Sequence, residues 1–199
     1  MNGTTRWIPG LLLSVTALAT AAMLAPTVSG QEPVKESFTG FAINLNSGPT
    51  TATVDFTITR WSTDAERQSL LALIKPEREA LKANEQLQRE LQKLPKVGYI
   101  RTPTTLAWDL HYARQSPLEN GGRRIVLATD RPMGFREVAN QTRTMDYPIT
   151  IIEIQLDQND KGVGKILAGT KLFIDKDNNL VLENYGQQPI RFNEIRKVK

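Results

Sequence analysis

The sequence predicts an α+β fold dominated by β structure: an antiparallel sheet of about eight or nine strands, curled or closed into a barrel, with two helices (about 63–75 and 77–94) packed on it or capping it. Three observations predict it. Apolar residues recur with period two on both sides of a single helical stretch. The turns of the C-terminal half are short, which forces neighbouring strands to run antiparallel. A chain that is 40% hydrophobic and has no cysteine must hold itself together by packing.

The first strand is Ser37 to Leu45, with Phe41, Ile43 and Leu45 sharing a face. Asn46-Ser47-Gly48-Pro49 turns the chain, because Gly supplies the dihedrals and Pro removes the donor that a continuing strand needs. Thr51 to Trp61 then alternates, Val54, Phe56 and Ile58 on one side and Thr53, Asp55, Thr57 and Thr59 on the other. The two segments make a hairpin with one wet face.

The period changes after Trp61. Thr63 and Glu66 have capping-box spacing, and Leu70, Leu71, Leu73 and Ile74 form a helical stripe. Pro76 ends that run and suits the first turn of a second helix, Glu77 to about Leu94. In it Leu87, Leu91 and Leu94 align at i, i+4 and i+7, Glu85 and Arg89 can pair, and Pro95 stops it. Mixed charge on these helices argues for cover of a sheet rather than for lipid binding.

From Val97 the chain returns to strands: Thr104 to Arg114, Arg123 to Arg131, Pro148 to Asp157, Lys165 to Asp175, Asn179 to Tyr185 and Pro189 to Val198. Turns at Ser116–Gly122, Asn159–Gly162 and Asp175–Asn179 separate them. Pro132 to Tyr147 carries Gly134 and no clear period, and reads as a loop over one end of the sheet.

Ahead of all this, Arg6 precedes a charge-free run from Trp7 to Ala25, interrupted early by Pro9-Gly10 and followed by small residues to Gly30. The clean run of roughly 15 residues falls short of the roughly 20 a spanning helix needs, so residues 1–30 read as a cleaved secretory signal. Val28 and Gly30 suit the peptidase cleft, with Ala25 a competing site. What remains, 31–199, is long enough for one core and is expected to be one β-rich domain with a helical insertion at 62–95. The expected address is periplasmic or extracellular, with no integral membrane association after cleavage.

Removing the signal takes one arginine and no acid, so the formal charge falls from +4 to +3. The basic residues are scattered, whereas phosphate binding needs a clustered footprint; no nucleic-acid partner is expected. Absence of cysteine removes thiol nucleophiles and Cys-based metal sites, and a single histidine argues against zinc. Asp175-Lys176-Asp177-Asn178-Asn179 imitates the start of a calcium loop, yet Leu180 replaces the turn glycine and Gly186 the bidentate Glu. Gly162-Val163-Gly164 and Gly121-Gly122 are turn glycines without the helix a phosphate cradle requires. No serine lies in a Gly-x-Ser-x-Gly context, and Asn140-Gln141-Thr142 is a glycosylation sequon. Neither a metal nor a cofactor is expected.

Four side chains remain as candidates: Asp109, His111, Asp130 and Glu153. In Leu106 to Ala113, the residues Leu106, Trp108, Leu110 and Tyr112 share one face and Ala107, Asp109, His111 and Ala113 the other. If Ile125 and Leu127 join the Trp108 face, Asp130 joins His111 and Asp109. An imidazole beside a carboxylate has the makings of a general base. Glu153 stands among isoleucines in the most apolar strand, where a partner such as Arg124 or Arg131 is expected. The sequence thus points to an exported β-rich binding or accessory protein whose partner is a small molecule, a glycan or a protein. Two alternatives stand beside it: an envelope structural or assembly component that binds another protein, and a small hydrolase or isomerase using Asp109, His111, Asp130 or Glu153 as acid and base.

Overall fold

Alternation decides the strands, and hydrogen-bond register decides how they close. The computed structural model describes residues 34–45, 50–103, 106–133, 147–184 and 188–198, all within the compact unit Gln31–Lys199. The expected signal, the Asn46–Pro49 turn, most of the Pro132–Tyr147 segment and the Asn140 sequon lie outside the described residues.

The described residues form ten strands: β1 (Glu36–Asn44), β2 (Thr50–Ile58), β3 (Gly98–Arg101), β4 (Trp108–Leu110), β5 (Tyr112–Pro117), β6 (Arg123–Thr129), β7 (Ile149–Leu156), β8 (Lys161–Ile174), β9 (Leu180–Asn184) and β10 (Ile190–Val198). All pair antiparallel, in the order β4-β3-β2-β1-β10-β8-β7-β6-β5, and β9 adds to β8. The two ends of this order, β4 and β5, are separated in the chain by His111 alone. A sheet whose ends are one bent strand curls back on itself, and the result is a nearly closed, barrel-like sheet. The His111 N–H donates to the Ala128 carbonyl at 3.0 Å, across the seam.

Side chains fill the inside of the curl. Phe38 stacks on Phe56 with ring centroids 4.8 Å apart, and Phe56 meets Phe192 edge-on at 6.0 Å. Ile100, Leu110, Ile125, Leu127, Ile152 and Ile154 complete the packing, with Trp61 and Trp108 at its margin. Along β1 Phe41, Ile43 and, just past its end, Leu45 share a face as expected, and it is the outer one. Phe41 and Leu45 face outward while Phe38, Gly40 and Ala42 face in. Gly40 is what permits this: a Cβ there would lie 2.7 Å from the Phe192 ring, so only glycine lets that ring reach the centre.

The helical insertion follows the sequence closely. In α1 (Asp64–Leu71) the Thr63 hydroxyl accepts from Glu66 N–H at 3.1 Å and the Glu66 carboxylate accepts from Thr63 N–H at 2.8 Å, the reciprocal capping box. Arg60 grips the same carboxylate with both terminal nitrogens, at 2.8 and 3.1 Å. α1 is shorter than expected; the chain turns at Ala72 and Leu73, before Pro76. After one 3-10 turn (Glu77–Glu79), α2 (Ala80–Lys93) buries Ala80, Ala83, Asn84, Leu87 and Leu91, one stripe at helical spacing. Glu85 and Arg89 stand 3.8 Å apart, as their spacing requires. No helix among the described residues is long and apolar enough to cross a membrane.

Hydrogen bonds, not apolar contact alone, fix the helices on the sheet. Beyond Thr170, β8 has outrun β7 and would leave backbone groups unpaired. The buried Asn84 side chain takes their place, accepting from Leu172 N–H at 2.8 Å and donating to Leu172 C=O at 2.7 Å. Two residues on, Ile174 N–H donates to the Lys75 carbonyl at 3.0 Å, and Gln88 donates to the carbonyls of Asp130 and Pro148 at 2.8 and 3.3 Å. The α1–α2 hairpin is therefore clamped over the outer face of β6 to β9.

Candidate functional site

Strands β6 and β7 are apolar at both parities, so the sheet there has two faces to bury. Ile125, Leu127, Ile152 and Ile154 point into the curl; Val126, Ala128, Ile149 and Ile151 point out, beneath the helices. Registers arrange the outward residues in rows across the strands. Tyr112, Ala128, Ile151 and Leu167 form an apolar row. The next row is Arg114, Val126, Glu153 and Lys165, and the one after it Ser116, Arg124, Gln155 and Val163. The outer face thus passes from apolar to charged within two rows.

The helices do not cover this face completely. Between them and the sheet remains a groove of about 500 Å3. Its floor is the apolar row with Ile149 and Leu172; Leu70 and Leu71 of α1, Ile74 beyond its end, and Leu87 and Leu91 of α2 form one wall. Leu180 and Leu182 of β9 form the other, 45% and 39% exposed. Leu71 is likewise 40% exposed on the helical side. Arg67, Arg114, Arg124, Tyr112 and Glu153 stand at the polar end.

The groove's charges are mostly matched. Arg114 pairs with Asp64 at the start of α1 at 2.7 Å. Glu153 meets Lys165 at 3.1 Å and Arg124 at 3.3 Å. Burial pushes the Glu153 carboxyl up, but Lys165, Gln155 and Arg124 together outweigh it and hold it below the usual range. A carboxylate so held is a weak base and a structural ion-pair partner. Of the two partners expected for it, Arg124 takes the role, while Arg131 turns to Asp130 at 3.5 Å. Tyr112 is moved the opposite way: burial raises its hydroxyl pKa, against the influence of Arg67 and Arg114, so the phenol keeps its proton. Among the described residues Arg67 makes no ion pair.

The remaining candidate residues fall elsewhere. His111 is expected to share a surface with Asp109 and Asp130, and the structure brings together only two of the three. Its Nε2 lies 3.8 Å from Asp130 Oδ1, while Nδ1 meets the Leu94 carbonyl at the end of α2 at 3.0 Å. Asp109 belongs to the β3–β4 edge, opposite Tyr99, and its carboxylate pairs with Lys96. The expected single strand Thr104 to Arg114 also breaks at His111. Because the seam inserts this residue between β4 and β5, the parity inverts: Leu110 and Ala113 both face the interior, and Tyr112 faces the groove. Leu106, expected on the Trp108 face, is 92% exposed.

His111 is therefore placed to tie α2 to the seam through Nδ1, while Nε2 faces the Asp130 carboxylate beyond hydrogen-bond distance. Among the described residues no three His, Asp or Glu side chains gather closely enough to hold a metal ion. Asp175 is a turn residue, its carboxylate accepting from the N–H groups of Asp177 and Asn179 at 2.9 and 2.8 Å. Sequence reasoning did not identify the groove, since each of its apolar residues reads singly as core. The available signal was the double-sided hydrophobicity of β6 and β7 next to Arg114 and Arg124. No protein-family model, curated protein or solved structure matches this chain, so its function is argued from the site itself.

Proposed function

We propose that this chain is an exported β-rich binding protein that holds a small molecule in the groove between the α1–α2 hairpin and the outer face of the curled sheet. One observation carries the reading: an apolar groove of about 500 Å3, flanked by half-exposed Leu71, Leu180 and Leu182, stays open beside a packed core. Its volume falls in the roughly 300–1,000 Å3 range of small-molecule sites, and it combines an apolar lining with a few polar groups at one end, as such sites do. Exposed leucines in a row are costly in water, which favours an occupant. Export rests on Arg6 and the charge-free run to Ala25. The enzyme alternative draws no comparable support, because Asp109 and Glu153 each sit against a lysine or arginine, and His111, with Nδ1 at the Leu94 carbonyl and Nε2 3.8 Å from Asp130, does not line the groove.

The test is native mass spectrometry of protein produced from the full-length gene in its own cells. A retained small-molecule mass is expected, lost in Leu182→Glu, which places a charge on the exposed groove wall with little cost to stability. A bare chain mass, or a ligand kept by Leu182→Glu, contradicts the reading. Fractionation with N-terminal sequencing tests the address: a mature end near Gln31 in the exported fraction is expected, and an intact Met1 in the cytoplasm contradicts it.

A further inference from the structure

Resting on that reading, we infer that the ligand is a single-chain amphiphile with one negative charge at its head, an alkyl carboxylate, lying with its chain along the apolar row and its head at Arg67. Tyr112, Ala128, Ile151 and Leu167 run side by side across four strands beneath the helices, with Val126, Ile149 and Leu172 beside them, an apolar strip that crosses the strands. An apolar strip that crosses four strands has the length to seat an extended alkyl chain. Leu71 of α1 and Leu180 and Leu182 of β9 add further apolar surface to the groove.

The charges at the groove's polar end favour an anionic head. Among the groove's lining residues are three arginines and one acid, Glu153. Arg114 is already matched by Asp64, and Glu153 is matched by Arg124 and Lys165. Arg67 is the lining cation for which no ion pair exists among the described residues. It also lies on α1 one turn before Leu70 and Leu71, where the apolar wall begins. A planar guanidinium matches a carboxylate in a two-pronged hydrogen bond, and the protonated Tyr112 hydroxyl lies at the same end as a further donor. Arg67 is exposed and without an ion pair among the described residues, so its guanidinium is free to take one anionic head. A cationic head would meet Arg67 at an end where the nearby acids, Asp64 and Glu153, are already paired with arginine or lysine.

The experiment measures displacement of a fluorescent alkyl carboxylate from the delipidated full-length gene product by dodecanoate, dodecanol and dodecyltrimethylammonium. Dodecanoate is expected to bind at least about tenfold more tightly than either of the others. Arg67→Gln should remove that preference while leaving dodecanol affinity unchanged, and Arg114→Gln, with melting followed in parallel, should reduce it. Equal affinity for anionic and cationic chains, or a preference that survives Arg67→Gln, overturns the inference while leaving the groove reading intact. Failure of all three chains to bind defeats the groove reading as well. Self-association through this face that dodecanoate does not disrupt identifies a second copy as the occupant and also overturns the inference.

Discussion

Replacing Asn84 by alanine removes the side chain that holds α2 to β8. Asn84 is 1% exposed and makes three hydrogen bonds of 2.7, 2.7 and 2.8 Å. The one to the Ala80 carbonyl duplicates an intrahelical bond, so its loss costs little. The other two satisfy the N–H and C=O of Leu172, where β7 no longer pairs with β8. An orphaned buried backbone group costs about 1–3 kcal/mol, and the two together about 2–5 kcal/mol after partial access of water. Alanine returns about 0.5 kcal/mol through its better helix propensity. A net loss of about 3 kcal/mol should lower Tm by about 6–12 °C for a chain of this length. Exposed Gln86→Ala on the same helix is the control, expected to stay within about 0.5 kcal/mol of the parent. The assay is calorimetric melting with hydrogen exchange at Leu172, whose amide should become fast in Asn84→Ala alone. Equal melting of the two variants, with Leu172 still protected, refutes the reasoning.

Other perturbations read the remaining contacts. Arg123 bonds Glu36 at 2.6 Å, Asp160 at 2.7 Å and Gln115 at 2.9 Å, so Arg123→Ala strands the Glu36 carboxylate with Lys197 alone; partial exposure limits the loss to about 2 kcal/mol in a denaturant melt, and an unchanged midpoint contradicts it. Glu36, burdened by burial but outweighed by Arg123 and Lys197, lies below its ordinary pKa of 4.5, as do Glu66, Glu153 and Glu183. Their stabilisation is therefore complete above about pH 4.5 and is lost as pH falls through the lower folded values, so Tm should drop on acidification below that point and Glu36→Gln should flatten part of the drop; a Tm that rises with acid has the wrong sign. His111→Ala should cost about 1–2 kcal/mol by releasing the Leu94 carbonyl, yet leave ligand retention in native mass spectra unchanged; loss of ligand without loss of stability would put His111 in the site. Gly162→Ala should fold poorly, since its Cβ would fall 1.8 Å from the Gln155 carbonyl oxygen, and normal expression with an unaltered melt would show that the β7–β8 pair gives way there.

Where local chemistry decides structure, the sequence is readable. Thr63 and Glu66 carry the start of α1 between them, Pro95 ends the helical insertion, and the alternation of Val54, Phe56 and Ile58 puts β2 in its place. The pairing of Glu153 with Arg124 and of Asp130 with His111 also follows from register and charge. Closure depends on contacts distant in the chain, and there the reading goes astray. Nothing local marks His111 as the seam between β4 and β5, so the single strand expected there assigns Tyr112 to the wrong face. β1 is apolar on both sides, and its parity is settled by Gly40 making room for Phe192 from the last strand. The four residues of β3 are too few to show a period. The groove escaped for a related reason: outward-facing Val126, Ala128 and Ile151 look like core until the helices are seen to cover them incompletely.

The central claim is a place, the groove beside α1, α2 and β9, and photolabelling reaches it most directly. A diazirine-bearing alkyl carboxylate, added to the purified full-length gene product and mapped by peptide mass, should label the Leu70–Ile74, Leu87–Leu91, Ile149–Ile151 and Leu180–Leu182 stretches, with excess dodecanoate suppressing the signal. Labelling confined to the Lys96–Asp109 edge, or spread evenly over the surface and indifferent to dodecanoate, would contradict it.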